Sequence, residues 1–149
     1  MANYSVVYTR TASTTASVGS VTADATRPRR GKLYEFQCGS PAVPADNPFR
    51  WTLQRCTAAG TSTGVTPVPL DPADAATETD AGENHTVEPT YTAGAIVWDQ
   101  SINQRAAYRW VARQGKELVW PATAANGLGI QTLTSSALVV RAEIYFEEQ

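Results

Sequence analysis

The sequence predicts an all-β fold, an antiparallel β-sandwich of jelly-roll-like type, and three observations predict it. Several short segments alternate apolar and polar side chains with a period of two, as strands with one buried face do. Clusters of Gly, Pro, Asn, Asp and Ser separate these segments, and no stretch carries the 3.6-residue period of an amphipathic helix. Only 17% of the 149 residues are charged, while Thr, Ala, Ser, Gly, Val and Pro are plentiful. β-branched side chains lose rotamer freedom on a helix but pack well on a pleated surface. Strands joined by hairpins pair antiparallel, and about eight of them close better as two packed sheets than as one open sheet with bare edges. A partly closed barrel is the second choice.

Taken in order, residues Tyr4 to Thr22 are Ser/Thr-rich, with scattered apolar positions such as Val6, Val7, Tyr8, Val18 and Val21. They are expected to form one or two edge strands or an extended arm. Thr26-Arg27-Pro28-Arg29-Arg30-Gly31 then reads as a turn or linker, because proline fixes φ and glycine frees it. The chain is accordingly divided into an N-terminal arm with its edge strands, 1–31, and a single sandwich domain, 32–149.

Lys32–Cys38 is a strand with Tyr34, Phe36 and Cys38 on one face; Phe49–Thr57 is another, with Phe49, Trp51 and Leu53 inward. The proline-dense stretch 39–48 between them cannot sit inside a sheet. Residues 58–84 are rich in Gly, Thr, Pro and Asp and are expected to form a long ordered surface loop, with a short helical turn after Asp71-Pro72. Strands return at Thr86–Tyr91, Ala95–Gln100, Ala106–Arg113, Glu117–Trp120, Gly127–Thr134 and Leu138–Glu147. In the last, Leu138, Val140, Ala142, Ile144 and Phe146 share one dry face. Turns are expected at Gly115-Lys116, Ala125-Asn126-Gly127 and Thr134-Ser135-Ser136.

Charge and composition narrow the function. A formal net charge of -2 provides no field to draw the chain onto a phosphate backbone or an anionic membrane, so neither nucleic acid nor membrane is expected as a partner. No apolar run approaches the roughly 20 residues of a spanning helix, and Met-Ala-Asn-Tyr-Ser lacks the pattern of a secretory signal, which points to synthesis in a cytoplasm. Cys38 and Cys56 are read as buried reduced thiols, with pairing across neighbouring strands as the alternative. His85, the single histidine, is expected to cap or fill a turn. A metal site would need more ligands, a nucleophilic triad would need this same histidine, and no nucleophile-elbow motif accompanies it. The carboxylates Asp71, Asp74, Glu78, Asp80 and Glu83 gather in one polar loop, a solvated surface. No catalytic residue, metal ligand or cofactor site is therefore assigned, and the chain is not expected to be an enzyme.

Candidate partner-binding residues are few. Arg27, Arg29 and Arg30, with Lys32 beside them, form a local basic cluster whose guanidinium forks suit acidic surfaces. Of the four tryptophans, Trp51 and Trp110 share strand faces with apolar residues and read as core. Trp98 and Trp120 are the candidates for exposed aromatic contacts, Trp120 because Pro121 ends its strand.

An ordered series of segments resembles a known family: Arg29-Arg30-Gly31-Lys32-Leu33-Tyr34, Pro44-Ala45-Asp46-Asn47, Gln54-Arg55-Cys56-Thr57-Ala58-Ala59-Gly60-Thr61, Thr66-Pro67-Val68-Pro69-Leu70-Asp71-Pro72-Ala73-Asp74, Asn84-His85-Thr86-Val87-Glu88-Pro89-Thr90-Tyr91 and Asn103-Gln104-Arg105-Ala106. From about Arg29 to the carboxyl end the chain is similar to small β-rich virion proteins of tailed bacteriophages, of the capsid cement or decoration kind. The resemblance implies a virion protein on the outer capsid surface that clamps major capsid proteins and associates with itself as a homotrimer. No site residues carry over, because none of these segments is a catalytic signature. A phage head- or tail-surface module that recognises host glycans through Trp98 or Trp120 is the alternative.

Overall fold

Twelve strands in two antiparallel sheets make up the computed structural model, which describes residues 1–12, 15–134 and 137–149. They are β1 (Ala2–Ala12), β2 (Thr15–Ala23), β3 (Gly31–Gly39), β4 (Pro48–Ala58), β5 (Thr61–Val65), β6 (Val68–Pro69), β7 (Thr79–Val87), β8 (Thr90–Asn103), β9 (Tyr108–Val111), β10 (Leu118–Trp120), β11 (Gly127–Leu133) and β12 (Leu138–Glu148). One sheet, called A below, has the order β10-β3-β12-β1-β6, with β9 also paired to β3; the other, B, has the order β5-β7-β2-β11-β4-β8. The chain passes from sheet to sheet at β1–β2, β2–β3 and β3–β4, so each sheet is assembled from distant segments, as the jelly-roll-like sandwich requires.

The core lies between the sheets. Sheet A contributes Val6, Leu33, Phe36, Val140, Ile144 and Phe146, and sheet B contributes Val18, Val21, Trp51, Leu53, Leu128 and Ile130, all buried. Phe36 bridges the layers, edge-on to Trp51 at a centroid distance of 6.1 Å and to Trp98 at 5.0 Å. Each such side chain removed from water contributes about 1.5–3 kcal/mol. β12 buries all five residues assigned to its dry face. In β3 the alternation breaks: the register against β12 shifts at Tyr145/Phe146, so Leu33 turns inward with Phe36 and Cys38 while Tyr34 is only half-buried. Tyr34 is thus not on the core face expected for it.

Residues 1–31 are not an arm. β1 pairs with β12 along its whole length, and β2 lies between β7 and β11. Tyr4, Val6, Tyr8, Val18 and Val21 are all core residues. Tyr8 on β1 reaches over β2: its ring covers Gly19, where a Cβ would sit 2.4 Å from the ring, and its hydroxyl donates to the Ser20 carbonyl at 3.0 Å. The edge-strand expectation holds only in part, for β1, whose outer side pairs with β6 at Tyr4 and Ser5 alone. Beyond that, the Glu83 carboxylate accepts the Thr9 N–H at 2.8 Å, which satisfies one of the donors an open edge would expose.

The span 58–84 is not one long loop. It contains the end of β4, β5, β6 and most of β7, and its longest stretch outside strands is residues 70–78. The turn there is a single Asx-type turn rather than a helical one: the Asp71 carboxylate accepts the Ala73 N–H at 2.9 Å, and the Asp71 carbonyl accepts the Asp74 N–H at 3.0 Å. The strand expected at Thr86–Tyr91 is divided by the β7–β8 turn at Glu88-Pro89. Gly115 and Ala125 take positive φ in turns, as their segments suggest; the third expected turn falls largely on Ser135 and Ser136, outside the described residues.

Candidate functional site

The most chemically suggestive pair in the molecule is Ser20 on β2 and His85 on β7, whose Oγ and Nε2 lie 3.0 Å apart. Asn84 has φ of 52° and interrupts the register of β7 against β5, a bulge beside which the His85 ring is buried against Ser20. His85 is therefore a strand residue and not a turn filler. Burial holds its pKa below the ordinary 6.5, with the Glu88 carboxylate opposing that shift and Arg10 reinforcing it. The pair has the atoms of a nucleophile and a base, but Ser20 is 2% and His85 5% exposed, so no substrate carbonyl can approach the hydroxyl. The pair ties β2 to β7.

A second network closes the same region. Arg10 donates to the Ser17 and His85 carbonyls and pairs with Glu88 at 3.4 Å; Glu88 also accepts the Ser17 N–H, and the Ser17 and Tyr91 hydroxyls are 2.6 Å apart. Every member has a partner inside the chain. Cys38 and Cys56 are free and buried, and desolvation raises their thiols to about 12 and about 11. Among the described residues no three His, Cys, Asp or Glu side chains gather as a metal site, and no helix is long and apolar enough to cross a membrane.

The five residues singled out as partner contacts do not form one surface. Arg27, Arg29 and Arg30 lie exposed on the β2–β3 crossing. The Asp24 carboxylate fixes the start of that crossing by accepting the Thr26 and Arg27 N–H groups at 2.7 and 2.6 Å, which holds its own pKa below the ordinary value. Arg27 pairs with Glu78 at 3.0 Å, and the Arg30 carbonyl accepts the Gln149 N–H. Among the described residues the Arg29 and Arg30 guanidinium groups have no ion-pair partner. Trp98 is half-buried, between Phe36 and Tyr108. Trp120 is fully buried, which overturns its reading as an exposed contact: β10 pairs Trp120 with Gly31, whose missing side chain leaves room for the indole, and Phe146 lies 5.3 Å away.

One concave surface is not legible in the sequence. It is an open groove of about 450 Å³ on the outer face of sheet A, running over β9, β3, β12 and β1. The register explains it. Arg109, Gln37, Glu143 and Val7 form one outward rung, and Gly39, Arg141 and Thr9 the next, where Gly39 provides no side chain and leaves a hollow. Arg105 closes the end from the β8–β9 turn, which is fixed by Arg105 N–H donating to the Asn103 side-chain oxygen and by the buried Gln104 accepting the Ala45 N–H.

The arginines of the groove differ in state. Arg109 meets Glu35 through two bonds, 2.6 and 3.0 Å, and holds that carboxyl below its ordinary range. Arg105 and Arg141 are exposed, and among the described residues neither guanidinium has a partner. Glu143, beside them, accepts the Tyr145 hydroxyl at 2.9 Å. Convergence of residues near 39, 107 and 141 depends on sheet order, which no local pattern discloses; the outward alternation of Arg141 was the one available signal.

No protein-family model matches the chain, and no curated protein matches it in sequence. Among solved structures it is similar to PirA, with a TM-score of 0.38 and 9% identity over 97% of this chain and 94% of that one. It is also similar to a chain of a marine algae virus of the order Picornavirales, with a TM-score of 0.35 and 8% identity over 100% of this chain and 69% of that one. A third is the decameric BFDV capsid protein, at a TM-score of 0.24 and 13% identity over 99% of both chains. At such low scores the fold is read from the sheets themselves.

Proposed function

We propose that this chain is a virion structural protein of the cement or decoration kind, which binds the outer surface of a phage capsid and stabilises contacts between major capsid proteins. The observation that carries this reading is the disposition of its polar chemistry. The groups that could catalyse, Ser20 and His85, are buried, whereas among the described residues Arg29, Arg30, Arg105 and Arg141 stand exposed and unpaired on a framework of paired strands. Such a scaffold loses little entropy on binding, and many symmetric copies on one particle multiply a modest contact. The ordered segments from Arg29 onward that resemble phage cement proteins supply the partner's identity, and the same resemblance suggests a homotrimer on the virion.

The glycan-binding alternative has less support, because Trp120 has no exposed face and Trp98 already packs against Phe36 and Tyr108. Co-sedimentation of the purified chain with bare phage heads assembled from major capsid protein tests the proposal. Saturable binding that is weakened by Arg29→Glu with Arg30→Glu is expected. No saturable binding would overturn it.

A further inference from the structure

We propose that the groove on the outer face of sheet A docks the 70–78 loop of a second copy of this chain, in a head-to-tail contact. The groove asks for a particular ligand. Arg109 is already matched by Glu35, and the single Glu143 carboxylate offsets only one of the two remaining arginines, so Arg105 and Arg141 leave the groove with an excess of positive charge. The floor extends past Arg141 to Val7 on the neighbouring β1, 38% exposed on its solvent side. An extended segment with carboxylates beside an apolar side chain fits that pattern.

The chain carries such a segment on its own surface. Leu70 is 50% exposed and is followed by Asp71, Pro72 and Asp74. Asp71 uses one oxygen on the Ala73 N–H, and among the described residues the Asp74 carboxylate has no hydrogen-bond or ion-pair partner. The loop is held ready: Leu70 N–H donates to the Asn3 carbonyl at 2.8 Å, Tyr4 hydroxyl to the Ala75 carbonyl at 2.9 Å, and Thr79 hydroxyl to the Glu148 carboxylate at 2.8 Å. A loop fixed in this way pays little ordering entropy when it docks.

The same bonds prevent the loop from filling its own groove. They hold it beside Asn3 and Glu148, whereas the groove centres on Arg141, seven residues back along β12, or about 23 Å at strand rise. Donor and acceptor surfaces differ, so the contact is heterologous and propagates from copy to copy into a ring or a chain. Exposed Arg–carboxylate pairs are screened by salt, so the association is expected to be modest and strongest at low ionic strength.

Sedimentation velocity over a concentration series, at low and at high salt, tests this. The wild-type chain is expected to associate at low salt and to dissociate at high salt. Arg105→Glu with Arg141→Glu, or Asp71→Arg with Asp74→Arg, abolishes self-association of either variant alone, because loop and groove then carry like charge. An equimolar mixture of the two restores it, since each loop now meets a groove of opposite charge. The neutral variants, Arg105→Gln with Arg141→Gln and Asp71→Asn with Asp74→Asn, give intermediate loss and serve if a reversal fails to fold by circular dichroism. A chain that stays monomeric at low salt, association indifferent to both reversals, or a mixture that stays dissociated would each overturn the proposal.

Discussion

Replacing Trp120 by alanine separates a core residue from a surface contact by a wide margin. Trp120 is fully buried on β10, against Gly31 and Phe146. A buried tryptophan covers roughly 150–250 Å², which at about 25 cal/mol per Å² gives roughly 4–6 kcal/mol as an upper bound. Measured truncations of this type cost about 3–5 kcal/mol, and β10, only three residues long, can relax into part of the space. The expected loss for Trp120→Ala is therefore about 3–4 kcal/mol, or roughly 10 °C in Tm for a chain of this length. Trp120→Phe should cost less than about 1.5 kcal/mol, because it keeps the ring against Phe146 and removes an indole N–H that is buried without an acceptor. Gly31→Ala adds a Cβ 1.9 Å from the indole and should cost about 1–3 kcal/mol, a cost that largely vanishes once Trp120 is alanine. Urea unfolding followed by far-ultraviolet circular dichroism measures all four proteins. A loss below about 1 kcal/mol for Trp120→Ala, with no coupling to Gly31, would refute the packing argument and return Trp120 to the surface.

Three further outcomes follow from the same structure. Gly19→Ala should destabilise the fold by about 1–3 kcal/mol in urea unfolding, because its Cβ would enter the Tyr8 ring; a neutral effect would mean that residues 1–31 are detachable after all. Because the folded pKa of His85 lies below the ordinary 6.5, the unfolded chain takes up a proton first as pH falls. Stability is whole above about 6.5 and declines as pH drops toward the folded value, and urea midpoints between pH 8 and about 5.5 should decline less steeply in His85→Gln. Cys38 and Cys56, buried and with raised pKa values, should react with a chromogenic disulfide reagent at neutral pH only on unfolding, so that two thiols appear together in denaturant; prompt reaction of either in the native chain would contradict its burial.

How far the sequence could be read depended on which faces of a strand are dry. β12 alternates over a buried face along nearly its whole length and β4 does so from Phe49 to Leu53, and the sequence places the ends of both within two residues. β5 is exposed or half-buried throughout, so its Thr- and Gly-rich sequence has no apolar period and resembles a loop. The β3 bulge at Tyr34 defeats a fixed period of two, because an inserted residue moves every later side chain to the other face. Trp120 looked exposed because Pro121 ends its strand; its burial comes from pairing with Gly31, 89 positions away, a non-local fact. The arginine groove failed to appear for the same reason. Arg29 and Arg30 adjoin in sequence and so read as a cluster, while Arg105 and Arg141 converge only through β3 and β12.

The placement of these charges along β3 links the two proposals. Arg29 and Arg30 precede Gly31, which pairs with Glu148, and the 70–78 loop is tied to that same end through Thr79 and Glu148 and through the Arg27–Glu78 pair. Gly39 and the groove lie at the other end of β3, about 26 Å away at strand rise. A capsid contact made through Arg29 and Arg30 would therefore occupy the neighbourhood of the loop and leave the groove facing away. Bound copies could then accept a loop at the groove but not offer their own, whereas free copies could do both. On this geometry the two contacts compete at one end of the molecule only, so capsid binding should shorten head-to-tail assemblies rather than abolish the contact between copies.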